Sequence, residues 1–147
     1  MLSLLVYLSN IKDPMSTFTH IKTSGDNKAI VTDLTRKFNL GPENVIARIA
    51  LAYSLSKDKK FDLKNIKDSK GKEYSKNVLF GENFPYYVAL VSCHYNIYKT
   101  DKDIPRYIKM HIDHGLELLN NELKQNPNLT GFDFLVYKID AGLKHLA

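Results

Sequence analysis

The first patterned stretch of the chain runs from Phe18 to Ser24, where Phe18, His20, Lys22 and Ser24 fall on one side and Thr19, Ile21 and Thr23 on the other. This period of two predicts a short strand. After the Ser24-Gly25 break the period lengthens. Ile30, Leu34 and Phe38 recur four apart, with Lys28, Asp33, Arg36 and Lys37 turned to water. The spacing predicts a helix capped by Asp26 or Asn27 and ending near Asn39. Gly41 is the expected left-handed closing residue, and Pro42 suits the first turn of the next helix. In that second helix Val45, Ile46, Ile49, Ala50 and Tyr53 form a wide apolar stripe. Arg48 sits at its edge, either a rim residue with an apolar stem or a phosphate contact.

Beyond Ser56 the pattern lapses into a polar loop. A turn at Lys70-Gly71, a short strand pair or extended segment around Glu73 to Phe80 and a second turn at Gly81 are expected to follow. Helix resumes near Asn83 or Phe84. Tyr86, Tyr87, Leu90, Val91, His94, Ile97 and Tyr98 are apolar almost all round, which predicts a central helix buried on more than one side. Asp103 and Pro105 open the next and longest helix, with Ile108, Ile112, Leu116, Leu119 and Leu123 along one stripe to about Gln125. After Asn126-Pro127-Asn128, the residues Phe134, Leu135, Tyr137 or Lys138, Ile139, Leu143 and Leu146 predict a terminal helix from Phe132 to Leu146. The expected fold is mainly α. A short N-terminal strand and two helices come in the order of a ribbon-helix-helix module, followed by a small extended segment and two to three further packed helices.

A chain of 147 residues is long enough to bury a core as one domain without disulfides or metal. The single cysteine, Cys93, has no partner for a bridge within the chain and lies among apolar neighbours, as a structural thiol in a reducing cytoplasm would. The apolar start MLSLLVYLSNI lacks a leading positive charge and a small-residue cleavage site, and is too short to span a bilayer. Residues 1–14 are read as an upstream extension, with the natural start at Met15, or as a docking strand.

Charge changes the picture more than length does. The net charge is +5, but residues 18–80 carry 13 Lys and Arg against 7 Asp and Glu, and the remainder carries 8 against 9. The basic character is densest from Lys57 to Lys76. There Lys57, Lys59, Lys60, Lys64, Lys67, Lys70, Lys72 and Lys76 face Asp58, Asp62, Asp68 and Glu73. Such a loop either neutralises phosphates without reading sequence or is simply solvated. Other constellations are weaker. His111, His114 and Glu117 have the spacing of helical metal ligands, yet two histidines at a helix interface explain the same letters. His94 points away from Cys93 on a helix, which argues against a Cys-His nucleophile. Gly25, Gly41, Gly71 and Gly81 are isolated turn residues and form no phosphate loop. The expectation is a binder with no catalytic residues, no metal and no cofactor.

Five pieces in order, HIKTS at 20–24, ENVIARIALAYSL at 43–55, GKEY at 71–74, LFG at 79–81 and HIDHGLELL at 111–119, resemble the DndE family of bacterial DNA phosphorothioation systems. The resemblance spans residues 18 to about 120 and leaves 1–14 and 126–147 outside. It implies a small helical protein that associates with itself and binds duplex DNA, with nicked duplex a preference. It also implies work beside a cysteine desulfurase, a sulfurtransferase and an ATPase, without catalysing the replacement of a backbone oxygen by sulfur. Lys22, Lys28, Arg36, Lys37, Arg48, Lys57, Lys59, Lys60, Lys64, Lys67 and Lys70 are the candidate DNA contacts. Thr23 and Ser24 are added as phosphate donors near the first helix's N-terminus. If strands from two subunits paired, the ribbon would enter a major groove. An alternative, from a different class, is an assembly subunit that joins copies or partner enzymes through Tyr86–Tyr98 and Phe132–Leu146.

Overall fold

The structure, a computed structural model, describes residues 17–147. The reading of residues 1–14 and of a start at Met15 lies outside them. Strand β1 (His20–Lys22) pairs antiparallel with β2 (Glu73–Ser75), Ile21 opposite Tyr74. Hydrogen bonds continue the ladder at both ends, from Lys76 N to the Thr19 carbonyl and from Thr23 N to the Lys72 carbonyl, both 2.9 Å. The expected strand is therefore nearly as long in backbone pairing as in its alternation. Its partner, however, comes from the same chain rather than from a second subunit.

Helix α1 (Asn27–Phe38) buries Leu34 and Phe38 of the expected fourfold set, with Val31 buried in place of Ile30, which is partly covered. Asn39 closes it in the left-handed region at φ 51°, with its N–H returned to the Thr35 carbonyl. Gly41, expected in that role, lies two residues on, at φ 126° in the link to α2 (Glu43–Ser56). A short polar Asn tolerates the left-handed turn well enough to stop the helix first.

Two expectations for the middle of the chain are corrected. Only Glu73–Ser75 is extended, and the chain then turns into the short helix α3 (Lys76–Phe80). Ser75 is the reason: its hydroxyl accepts the Val78 N–H at the helix start, and the turn carries Leu79 and Phe80 into the core. Helix α4 (Phe84–Tyr95) is not central. It buries Val88, Ala89, Val91 and Ser92, but leaves Tyr86 and Leu90 exposed, as is Tyr98 just beyond its end. All-round apolarity there records an uncovered side.

The central element is α5 (Ile104–Gln125), with Ile104, Ile108, Ile112, Leu116, Leu119 and Leu123 buried along its length. Helix α2 lies tightly along it. A Cβ on Gly115 would stand 1.9 Å from the Ala50 carbonyl oxygen, so only glycine permits this approach. Helix α6 (Gly131–Leu146), capped by Thr130 on the Asp133 N–H, sets Phe134 against Phe38 and Tyr53. One hydrophobic cluster draws on all six helices.

Candidate nucleic-acid interface

The lysine-rich loop begins where Asp58, at φ 53°, turns the chain away from α2. Its charged side chains are exposed, yet its backbone is held at several points. The Phe61 N–H donates to Tyr95 Oη at 3.1 Å, and His94 Nε2 lies 2.9 Å from the Lys59 carbonyl, which fixes that nitrogen as the donor. Asp62 caps a short 3-10 turn, Leu63–Asn65, through the Lys64 N–H. Asp68 Oδ1 accepts from Gly25 N and Lys70 N, both 2.9 Å, and these two bonds pull its carboxyl below the usual range. Lys109 Nζ reaches the Asp68 carbonyl at 2.8 Å. The loop thus displays exposed cationic tips on an anchored frame.

Two hollows flank this frame. One is lined by Lys59, Lys60, Phe61, Lys67, His114 and Glu117, with Lys67 ion-paired to Glu117. The other lies beside β1, where Lys22 and Arg106 face the loop residues Ile66 and Ser69. Lys28 lines a separate shallow hollow with Lys72 at the start of α1. Arg36 pairs with Asp33 at 3.0 Å and Lys37 is exposed near the end of α1. Lys57 and Lys59 lie over the rings of Tyr53 and Phe61, while Lys64 and Lys70 project from the loop into solvent. The structure therefore gathers Lys22, Lys59, Lys60 and Lys67 about one segment. Arg36 and Lys37 stand apart from it.

Three sequence candidates are used inside the chain instead. Thr23 is fully buried, accepting the Lys72 N–H at 2.9 Å. Ser24 is fully buried too: its N–H donates to Asp113 Oδ1 at 2.9 Å and its hydroxyl accepts from Asn27 Nδ2. Neither hydroxyl is available to a phosphate. Arg48, left open above, donates to the Leu79 carbonyl at 3.3 Å as a half-buried rim residue. Lys72, one of the loop's cations, pairs with Glu43 at 3.5 Å, and Arg106, which was not among the candidates because it sits far along the chain in a segment of balanced charge, pairs with Asp103 at 3.0 Å.

Beneath the loop lies a closed polar network that sequence reading did not find. Ser54 Oγ is 2.7 Å from His111 Nδ1 and 2.8 Å from His114 Nδ1, and Tyr95 Oη is 2.7 Å from His111 Nε2. One arrangement satisfies all of these contacts. Tyr95 accepts from Phe61 and donates to His111 Nε2; His111 Nδ1–H donates to Ser54; Ser54 donates to His114 Nδ1. Burial holds the His111 pKa at about 3 and lowers that of His114, so both rings are neutral near pH 7. His111 has both ring nitrogens engaged, by Ser54 and Tyr95, and His114 has its Nδ1 engaged by Ser54. Among the described residues no group of three or more His, Cys, Asp or Glu side chains is placed to hold a metal ion. A second buried set joins Asp113 to Lys109 at 2.8 Å and to Asn27 at 2.8 Å, tying α5 to the first turn of α1.

Fold and surface together define a small helical protein with a lysine-rich loop fixed over a buried polar network. Residues 20–127 match the model of DndE, DNA sulphur modification protein DndE, and the chain belongs to the DndE family. Among solved structures it is similar to DndE from Escherichia coli B7A, described as involved in DNA phosphorothioation modification. Identity is 16%, 69% of this chain and 97% of that one are covered, and the TM-score is 0.56. A glycine-to-lysine mutant of DndE, described as involved in DNA phosphorothioation, gives 17% identity, the same coverage and a TM-score of 0.58. At such identity the likeness speaks for the fold. No curated protein matches the chain. Among the described residues no helix is long and apolar enough to cross a membrane.

Proposed function

We propose that this protein is a cytoplasmic, DNA-binding accessory subunit of a phosphorothioation system. It holds duplex or nicked DNA by its backbone while a sulfurtransferase, cysteine desulfurase and ATPase carry out the chemistry. The observation that carries this reading is the anchored lysine loop, in which Lys59, Lys60 and Lys67 line one hollow, with Lys22 and Arg106, paired with Glu73 and Asp103, lining a second, on a backbone fixed by Tyr95, His94 and Lys109. Cationic tips on a fixed frame suit phosphates at regular spacing and need no contact with base edges. A non-catalytic role is supported by Ser54, which is fully buried between two neutral imidazoles and out of reach of a substrate.

The test is a titration on unrelated duplexes, intact and nicked, across salt. Replacing Lys57, Lys59 and Lys60 by Glu is expected to abolish DNA retention at moderate salt. In any residual binding it should reduce the slope of log affinity against log salt by about 2–3, at roughly 0.9 per phosphate contact. Full retention by the triple variant would sink the proposal. A second reading, an assembly subunit that associates with itself and with partner enzymes, is favoured by the exposed Val78, Tyr86, Leu90 and Tyr98 on and around α3 and α4. It predicts that the triple variant keeps the oligomer mass of the unaltered chain.

A further inference from the structure

We infer that α6 is a dimerisation helix, pairing antiparallel with α6 of a second copy of this chain. The inference refines the self-association reading above and is independent of DNA holding. Phe132, Val136, Ile139, Leu143 and Leu146 alternate spacings of four and three, which at 3.6 residues per turn confines them to a stripe about 80° wide. This is the spacing of a coiled-coil seam, unbroken from one end of the helix to the other. All five are uncovered, with exposures of 71%, 45%, 61%, 60% and 84%.

The helix cannot turn this stripe inward. Its other side is already committed: Phe134 stacks on Phe38 at 5.5 Å, and Lys138 pairs with Glu122 at 2.6 Å. A Cβ on Gly131 would stand 2.4 Å from the Phe38 carbonyl oxygen, so the start of α6 is held against the end of α1. Among the described residues none covers the seam.

Charge and area select a second copy. Asp133 lies in the first turn, and Lys144, bridged to Asp140 at 2.8 Å within the helix, and His145 lie in the last. An antiparallel partner sets each acidic start beside the other's basic end and opposes the two helix dipoles, whereas a parallel one stacks like on like. The seam offers on the order of 600 Å² per chain, somewhat below the ~800 Å² per partner of a standard interface. That is enough for a concentration-dependent dimer and too little for a permanent one. The helix lies beyond residues 20–127, so the seam is an addition outside the family match.

Sedimentation of the full chain from low to high micromolar concentration tests this, with DNA retention read on the same preparations. Mass should rise with concentration, and Leu143→Asp should weaken association at least ~10-fold while leaving the helical circular dichroism intact. In a Cys93→Ser background, full antiparallel overlap brings Ile139 to the two-fold axis. Ile139→Cys should then form a disulfide-linked dimer on mild oxidation, and Phe132→Cys should cross-link only when mixed with Leu146→Cys. A monomer at every concentration, or an unchanged mass in Leu143→Asp, overturns the inference. So does self-cross-linking of Phe132→Cys and Leu146→Cys each alone, which marks parallel pairing. Loss of DNA retention in the unaltered chain would count against backbone holding and leave the mass comparison standing.

Discussion

Ser54 shows how one residue changes the meaning of its neighbours. In the sequence His111 and His114 have the spacing of ligands; in the structure one buried hydroxyl occupies both Nδ1 atoms and leaves the imidazoles neutral. Neutrality has a measurable cost in acid. An unfolded histidine takes up its proton near pH 6.5, whereas burial holds that of folded His111 to about pH 3, and His114 is shifted in the same direction. Between those values the unfolded chain binds more protons, so stability should be full above about pH 6.5 and decline as pH falls toward 3. His111 alone sets a limiting slope of about 1.4 kcal/mol per pH unit. Urea unfolding at stepped pH checks this. His111→Gln, which cannot titrate, should be less stable at neutral pH but show a flatter decline; an unchanged slope would show that other groups dominate. Ser54 was illegible because nothing in a helix tail announces a partner 57 and 60 residues away. Thr23 and Ser24 misled for a related reason. Hydroxyls beside a helix N-terminus suit an anion, and here a carboxylate from the chain itself, Asp113, takes the Ser24 N–H.

At the scale of elements, periodicity was a good guide wherever one side of a helix is buried. The stripe of α5 was readable, as was the terminal helix, with boundaries within a few residues; in α1 and α2 the buried side is turned about one residue from the expected one, with Val31, Ala47 and Leu51 buried while Ile30, Val45, Ile49 and Tyr53 are only partly so. Centrality was harder to read. An apolar circumference is shared by a buried helix and by one with an uncovered patch, and α4 is the latter. What marks α5 as central is Gly115, the point where α2 comes close enough to touch backbone. Gly115→Ala should therefore be far worse than an ordinary glycine replacement in a helix, which gains about 1 kcal/mol of propensity. The two helices would have to separate, and we expect a net loss of roughly 2–4 kcal/mol in urea unfolding. A neutral or stabilising result would mean that the α2–α5 approach is looser than the structure shows.

For the whole molecule, the sequence displayed the charge but not its mounting. Thirteen cationic residues in the first half can be counted without a structure. The bonds that fix the lysine loop cannot, because they join residues 34 to 43 positions apart, as in Phe61 to Tyr95, Lys59 to His94, Gly25 to Asp68 and Asp68 to Lys109. The distinction has consequences for binding. Salt dependence counts the phosphates neutralised, whereas affinity at a fixed salt also reflects how much of the loop must be ordered on contact. Tyr95→Phe separates the two. It removes the oxygen that accepts the Phe61 N–H, together with its bond to buried His111 Nε2, and leaves every lysine in place, so the slope against salt should hold while affinity drops roughly 3–10-fold, the worth of about one hydrogen bond to the loop. Melting curves guard against a merely unfolded variant. Should affinity stay constant, the loop's frame is irrelevant to DNA holding; should the slope change with it, the frame instead governs which lysines reach the backbone.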